Sequence, residues 1–494
     1  MSLFPSRRRL LEIIPGALVW TTFVFALVLS FVQPLWVIYF IIIFDLYWLL
    51  RVLYFIIFLV YSWRKYRAAL KLDWFAQLQA QHSQWKDYYH IVFLPTYKEG
   101  QEIIEHTLEA ILSSQYAADR FIIVLAGEER ALAHFTEVSE PVRAKYADKF
   151  GQFLITVHPK DLPNEIASKG ANINFAGHQV QKLIDKLGIS YDHCIVSAFD
   201  IDTVVHPQYF ACLTKVYIEH PDPTHTSFQP VVLYNNNIWE SPAPMRLAAF
   251  GTTFWLMTEL ARPDRLFTFS SHSMSFKALV DVGFWQKDVV SEDSRIFLQC
   301  FMHYNGHYSV APLYIPVSMD TVMSETTWKS LKNLYMQQRR WAWGVEHFPY
   351  MVETFATKPL IPLTKKIKYL WLQMEGMYAW ATTPILIFIL GRLPMAVTSP
   401  AEKTAVIVQN APFVLEQLMS LAMSGILVTA TFSFFLLPPP PHARRFRGAL
   451  FMVLQWLLLP VTSIVFSAIP AIDAQTRLML GKYLGFVVTE KVRK

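Results

Sequence analysis

Charge is what this sequence has least of. Asp, Glu, Lys and Arg make up 17% of the chain, against roughly a quarter in ordinary soluble proteins, a deficit that argues for a part that sits in lipid. Cysteine is scarcer still. Cys194, Cys212 and Cys300 stand apart with no C-x-x-C spacing, so they support neither a disulfide framework nor a thiolate zinc site, and they fit a reducing cytosol. No internal repeat is present, and the single low-complexity stretch is the proline run from Pro438 to Pro441. The net charge of +6 is modest, and its placement says more than its size. No nucleic-acid partner is expected.

What the chain has in excess is apolar. Hydrophobic residues reach 53% and gather in long runs at the two ends. Leu10 to Val32, broken by Gln33-Pro34, and Leu35 to Tyr61 each reach the roughly 20 residues that a bilayer span needs. Arg7, Arg8 and Arg9 precede the first run, and Arg64, Lys65, Arg67 and Lys71 follow the second. Lys and Arg mark the cytoplasmic side, so the two runs read as a hairpin with both ends inside. The first run is too long for a signal peptide, and no small-residue cleavage site is evident. Lys365, Lys366 and Lys368 mark a second boundary, before spans expected at about Tyr369 to Leu390 and Phe413 to Leu437. The prolines after Leu437 stop the helix, and Arg444, Arg445 and Arg447 place the next loop inside.

Ala449 to Ile472 is long enough to cross. Pro460 and Pro470 interrupt it, and Arg477, Lys482, Lys491, Arg493 and Lys494 follow it. The charge rule favours a broken, re-entrant or interfacial segment with a cytoplasmic C-terminus over a crossing. Asp45 and Arg51 lie inside the second span, where charges are functional candidates. At six residues' separation they point to different helix faces and are not expected to pair; snorkelling of Arg51 is the plain alternative. The chain thus divides into a hairpin (1–71), a cytoplasmic domain with interface helices (72–363), and a C-terminal membrane region with a cytoplasmic tail loop (364–494). It reads as an integral, multi-pass protein of an inner or plasma membrane.

The middle segment alternates. Buried-strand patterns at His90–Leu94, Phe121–Leu125, Phe153–Val157 and Cys194–Phe199 are separated by helical stretches such as Gln101–Ser113. Such alternation predicts a mostly parallel sheet covered on both faces. Ligands then bind at the C-terminal ends of the strands. Asp200-Ile201-Asp202 follows the fourth strand at once. Two carboxylates at that spacing in extended chain point to one side and can hold a hard divalent cation bound to phosphate oxygens; a solvated loop is the plain reading. Ser291-Glu292-Asp293 opens a helical stretch, Ser294 to Cys300. Ser and acids favour a helix start as a cap, and a carboxylate near a donor serves equally as a general base for an acceptor hydroxyl. Gln337, Arg340 and Trp341, spaced Q-x-x-R-W, lie on one helix face. Arg offers a fork for phosphate and Trp a flat apolar surface for a sugar ring; an amphipathic helix at a membrane surface gives the same pattern. His303 and His307 have helical spacing for a metal pair, but Asn305-Gly306 between them reads as a turn, so no zinc site is expected.

Taken in order, Pro95-Thr96-Tyr97-Lys98-Glu99, Lys169-Gly170-Ala171-Asn172-Ile173-Asn174, Asp200-x-Asp202, Glu292-Asp293 and Q-x-x-R-W resemble membrane-bound family 2 glycosyltransferases, which include the processive cellulose, hyaluronan and chitin synthases. Phe486-Val487-Val488-Thr489-Glu490-Lys491 also resembles the F-x-V-T-x-K gating loop of cellulose synthases. The chain departs from the pattern in carrying Glu128 where the family usually has Asp after its second strand. It also has Lys98 where Asn is common and Ser291 where cellulose synthases have Thr.

The resemblance implies an α/β nucleotide-diphospho-sugar transferase fold, the Rossmann-like GT-A type, inserted between transmembrane helices. It implies an inverting transfer from a nucleotide-sugar, expected to be a UDP-sugar, onto a growing polysaccharide. Pro95, Thr96, Tyr97, Glu99, Glu128 and Lys169 would line the nucleotide pocket. Asp200 and Asp202 would hold the donor diphosphate with Mg²⁺ or Mn²⁺, Asp202 as the nearer metal ligand. Asp293, with Glu292 beside it, would be the base. Arg340 would meet the leaving diphosphate, Gln337 and Trp341 the acceptor, and Thr489 and Lys491 would close over the phosphates. A lipid acceptor is the rival expectation, and membrane lipids are expected partners in either case.

Overall fold

The computed structural model describes residues 6–399, 404, 406–439 and 445–485. Its centre is a sheet of eight strands: β1 (Tyr89–Pro95), β2 (Phe121–Glu128), β3 (Gln152–His158), β4 (Cys194–Ala198), β5 (Val204–Val205), β6 (Thr226–Tyr234), β7 (Ser273–Ser275) and β8 (Ser309–Met319). They lie in the order β3-β2-β1-β4-β7-β6-β8-β5. Every residue of β2 and β6 is buried, as expected of strands covered on both faces, and this is why they read as unbroken apolar runs.

The first four strands are parallel, but the sheet as a whole is mixed. β7 is antiparallel to both β4 and β6, and β5 is antiparallel to β8. The reason is local. β7 has only three residues, Ser-Met-Ser, too few to register as a strand by periodicity. It is entered from the end where β4 finishes, with the Ala198 N–H donating to the His272 carbonyl at 3.1 Å. The segment before β7 therefore passes over the C-terminal end of β4, where ligands bind in such sheets. The turn expected between His303 and His307 is present, with Asn305 and Gly306 at φ 53° and 86°.

Four helices are long and apolar enough to cross a membrane: Arg7–Val32, Pro34–Ala69, Val406–Leu436 and Leu450–Met479. A further candidate, Leu363–Phe388 with Leu390–Val397, is bent by 47° at its break, just beyond Pro384 inside the first helix. Leu450–Met479 passes both of its prolines by changing pitch. A 3₁₀ turn at Gln455–Leu458 precedes Pro460, and a π turn at Ile464–Ala468 precedes Pro470. Each irregular turn holds the carbonyl four residues before a proline, the one that a proline cannot bond.

The membrane helices and the sheet domain are packed as one body. Leu59 and Tyr66 from the far half of Pro34–Ala69 join the main core, and Arg262 donates to the Tyr54 hydroxyl at 3.0 Å. Arg51 pairs with Glu375 of the bent helix at 3.1 Å, so Asp45 is not its partner, as the spacing implied. The Thr327–Ala342 helix is tied to Leu450–Met479 by Asp473, which takes Arg339 at 2.9 Å, Arg477 at 2.7 Å and the Tyr335 hydroxyl at 3.1 Å. Arg7–Val32 crosses the same helix so closely that a Cβ on Gly16 would lie 2.7 Å from the Gln475 carbonyl oxygen and 2.8 Å from Met479 Cβ. Gly16→Ala is therefore expected to force these helices apart at a cost of about 1–3 kcal/mol, lowering the melting temperature in detergent. Gly376→Ala, whose added carbon meets nothing within 4 Å, serves as the control and is expected to leave it unchanged. Equal melting temperatures for the two variants, read by intrinsic fluorescence, would contradict the close crossing.

Candidate active site

One cleft at the C-terminal ends of β1, β2 and β4 is lined by Pro95, Thr96, Tyr97, Glu99, Glu128, Lys169, Asp200, Glu292, Asp293, Gln337, Arg340 and Trp341. The loop after β1 is held by its own acid. The Glu99 carboxylate accepts the N–H groups of Tyr97 at 2.7 Å and Lys98 at 3.1 Å, and Thr96 N–H bonds the Ala126 carbonyl at 2.8 Å. The Tyr97 ring lies against the Lys98 ammonium, 5.3 Å from the centroid, and the Arg130 guanidinium, 4.9 Å from it.

Lys169 begins the Lys169–Leu187 helix, whose start is capped by the Ser168 hydroxyl accepting Ala171 N–H at 3.3 Å. Its ammonium sits among three carboxylates: Asp200 at 2.8 Å, Asp293 at 3.0 Å and Glu292 at 3.7 Å. Gly170 makes this possible. A Cβ there would stand 2.8 Å from the Gln286 carbonyl oxygen and 3.0 Å from Glu292 Cβ, so any larger residue would push the lysine helix off the acidic segment. Burial works against the charge on Lys169, but Asp200, Asp293 and Glu292 outweigh it and hold its pKa above the usual lysine value. Burial first, and the Asp293 charge second, push the Glu292 carboxyl well above the ordinary carboxylate range. Glu292 is 2% exposed whereas Asp293 is 25% exposed, so only the latter presents its carboxylate to the cleft.

Asp200 and Asp202 do not act as a side-by-side pair. Extended chain would aim both carboxylates one way, but Thr203 N–H bonds the Asp200 carbonyl at 3.0 Å and closes a turn. Asp200 stays in the cleft, reaching Lys169 and the Ser270 hydroxyl at 3.0 Å. Asp202 is fully buried, accepts the Asp320 N–H at 2.8 Å, and is not among the cleft residues. The expectation of Asp202 as the nearer metal ligand is corrected accordingly. Asp320 was not singled out from the sequence. It follows β8 directly and lines the cleft, and the strand-end rule that picked out Asp200 applies to it equally. Among the described residues no three His, Cys, Asp or Glu side chains gather into a metal cluster. Asp200 and Asp320 fit the other pattern, in which one or two carboxylates share a hard cation with substrate phosphates.

Ser291 is not a side-chain cap. Its hydroxyl donates to Glu346 at 2.8 Å, and Glu346 also accepts the Trp343 indole N–H at 3.0 Å. Arg295 Nε donates to His347 Nδ1 at 3.1 Å, and His347 Nε2 meets the Ser294 hydroxyl at 2.8 Å. Burial, then the Arg295 charge, hold the His347 pKa well below the usual value, in keeping with a neutral ring that accepts on Nδ1. Residues just after the Q-x-x-R-W segment thereby lock the start of the Asp293 helix. Thr268, delivered by the segment before β7, bonds the Asp293 carbonyl at 2.5 Å. Trp341 stands between Tyr234 and Phe269, with ring centroids 6.1 Å away in both cases. None of these supports has a sequence motif; only the three-dimensional contacts reveal them. Thr489 and Lys491 lie outside the described residues.

A family model described as "Glycosyl transferase family group 2" matches residues 195–459. No curated protein matches the sequence. Among solved structures, the chain is similar to the mannosyltransferase PcManGT from Pyrobaculum calidifontis, in complex with GDP-Man and Mn²⁺, at 15% identity over 90% of this chain and 100% of that one, with a TM-score of 0.45. It is also similar to S. aureus TarS 1-349 in complex with UDP-GlcNAc, at 10% identity over 70% of this chain and 91% of that one, with a TM-score of 0.37.

The carboxylate cluster makes a prediction independent of any substrate. Lys169→Met leaves Asp200, Glu292 and Asp293 without their shared cation, and is expected to cost about 3–5 kcal/mol near neutral pH. Without Lys169 the folded-state carboxyl pKa values rise above the unfolded ones. The destabilisation is therefore smallest at low pH, where the acids are protonated in both states, and grows as the pH rises. Melting of variant and parent from pH 5 to 8 checks this; a pH-independent gap would contradict it.

Proposed function

From the premise that the chain belongs to glycosyl transferase family group 2, and is a nucleotide-sugar glycosyltransferase with a GT-A-like fold, we propose that it moves a sugar to a growing polysaccharide at a membrane, inverting the anomeric carbon. The observation that carries this reading is the sharing of Lys169 by Asp200 and Asp293. One lysine links the strand-end acid suited to a donor diphosphate with the acid suited to act as base.

In this reading Pro95–Glu99 and Glu128 receive the nucleotide. Asp200, and Asp320 in place of Asp202, would hold a Mg²⁺ or Mn²⁺ ion; the chemistry such an ion supplies is neutralisation of the leaving diphosphate. Arg340, on the cleft face of the Thr327–Ala342 helix, adds a cationic fork to the same developing charge. Trp341, with Tyr234 and Phe269 around it, makes an apolar floor for the acceptor sugar, and Gln337 supplies a polar contact beside it. Asp293 takes the proton as the acceptor oxygen bonds to the anomeric carbon from the face opposite the diphosphate, and the bond between that carbon and the phosphate oxygen breaks. Glu292, buried and with its pKa raised, stays behind Lys169 as a positioning residue.

Helices around the catalytic domain are proposed to cross the membrane with that domain on the cytoplasmic side, following the hairpin, domain and C-terminal division at 1–71, 72–363 and 364–494. A lipid acceptor is the second reading. It draws on the contact of the Trp341-bearing helix with Leu450–Met479 through Asp473, which sets the acceptor floor beside a long apolar helix.

Donor turnover by the full-length protein in detergent, on a panel of UDP- and GDP-sugars with Mg²⁺ or Mn²⁺, tests the proposal. Asp293→Asn is expected to lower turnover about 10²–10⁴-fold with donor binding retained, and chelation to abolish turnover. Long glycan products favour the polysaccharide reading, and single-sugar lipid products the rival. Absence of turnover and donor binding across the panel, in well-folded protein, would sink both.

A further inference from the structure

The base-binding end of the cleft has an uneven set of hydrogen-bonding groups. Glu128 ends β2, is 5% exposed and lines the cleft beside the loop after β1. Arg130 Nε donates to its Oε2 at 2.8 Å, and Arg130 Nη2 bonds the same oxygen. Oε1 takes no hydrogen bond among the described residues. Asn172 is 1% exposed and also lines the cleft. Its Nδ2 donates to the carbonyl of Ala126, two residues before Glu128 on β2, at 2.7 Å. That bond commits the amide nitrogen and leaves Oδ1 as a buried acceptor without a partner. The end of β2 thus presents acceptors on Glu128 and Asn172 and one cationic donor on Arg130.

We propose that the donor is a guanosine diphosphate sugar, with its base read by Glu128, Asn172 and Arg130. The proposal rests on the glycosyltransferase reading above and names its substrate class. Guanine carries two adjacent donors, N1–H and the N2 amino group, beside the O6 acceptor. Two acceptors next to a guanidinium match that edge group for group. Uracil has a single N–H between two carbonyl oxygens. Against the same residues its N3–H and O4 are satisfied, but its O2 is set against an acceptor oxygen, and one buried acceptor stays unpaired. A site built to bond an N–H rejects an analogue that lacks it, because its own buried groups lose their partners. The uridine donor expected from the sequence is replaced by this assignment.

Equilibrium binding of GDP, UDP and inosine diphosphate to the full-length protein in detergent, with Mg²⁺ present, tests it. GDP is expected to bind at least about 10-fold tighter than UDP. Inosine diphosphate keeps N1–H and O6 but lacks the amino group, and is expected to fall between the two. Glu128→Gln exchanges one acceptor for a donor and is expected to collapse the GDP-to-UDP ratio toward one. The inosine comparison uses the unaltered protein, so a variant that fails to fold does not remove the test. UDP binding as tight as GDP overturns the guanine assignment while leaving the transferase reading intact. Failure of every nucleoside diphosphate to bind overturns both.

Discussion

The cleft depends on one buried ammonium. Asp200, Glu292 and Asp293 come from the end of β4 and the start of the Glu292–His303 helix. Their charges repel, and removing such groups from water costs several kcal/mol each unless they are paired. Lys169 supplies the pairing, and its contacts of 2.8, 3.0 and 3.7 Å show how tightly it is enclosed. Everything that brings Lys169 to that point then becomes a condition of the site: the Ser168 cap, the bare Cα of Gly170, and the β4 turn that keeps Asp200 forward while Asp202 drops back under Asp320.

A second layer of contacts holds the acidic segment from behind. Glu346 and His347 follow Trp341 by only a few residues, yet they bond Ser291, Ser294 and Arg295, which flank Glu292 and Asp293. The acceptor floor and the base are thereby parts of one hydrogen-bonded unit. Arg339, next to Arg340 in the chain, turns the other way and bonds Asp473. A single helix so presents one arginine to the cleft and its neighbour to the Leu450–Met479 helix.

Much of this was legible where the chemistry is periodic or local. The four parallel strands were readable because both of their faces are buried. The Q-x-x-R-W face was readable because helical spacing alone places Gln337, Arg340 and Trp341 together. What escaped detection has physical reasons. β7 is too short to show alternation. The Asp200-x-Asp202 pair was expected in extended chain, but a turn hydrogen bond divides it. Ser291 looked like a cap until Glu346, distant in sequence, claimed its hydroxyl. Asp320 carries no neighbouring motif, and its role at a strand end emerges only once β8 is seen beside β6.

The Pro34–Ala69 helix has 36 residues, about 54 Å at 1.5 Å per residue, well beyond a hydrocarbon core of about 30 Å. Its surplus length is not a tether, because Leu59 and Tyr66 are embedded in the core of the sheet domain. The helix is a mast, and the catalytic domain is built onto it. With the mast set in a bilayer, the cleft stands at a constant height and heading above the lipid. An acceptor hydroxyl then has to be brought to a fixed address, and the burden of movement falls on the substrate.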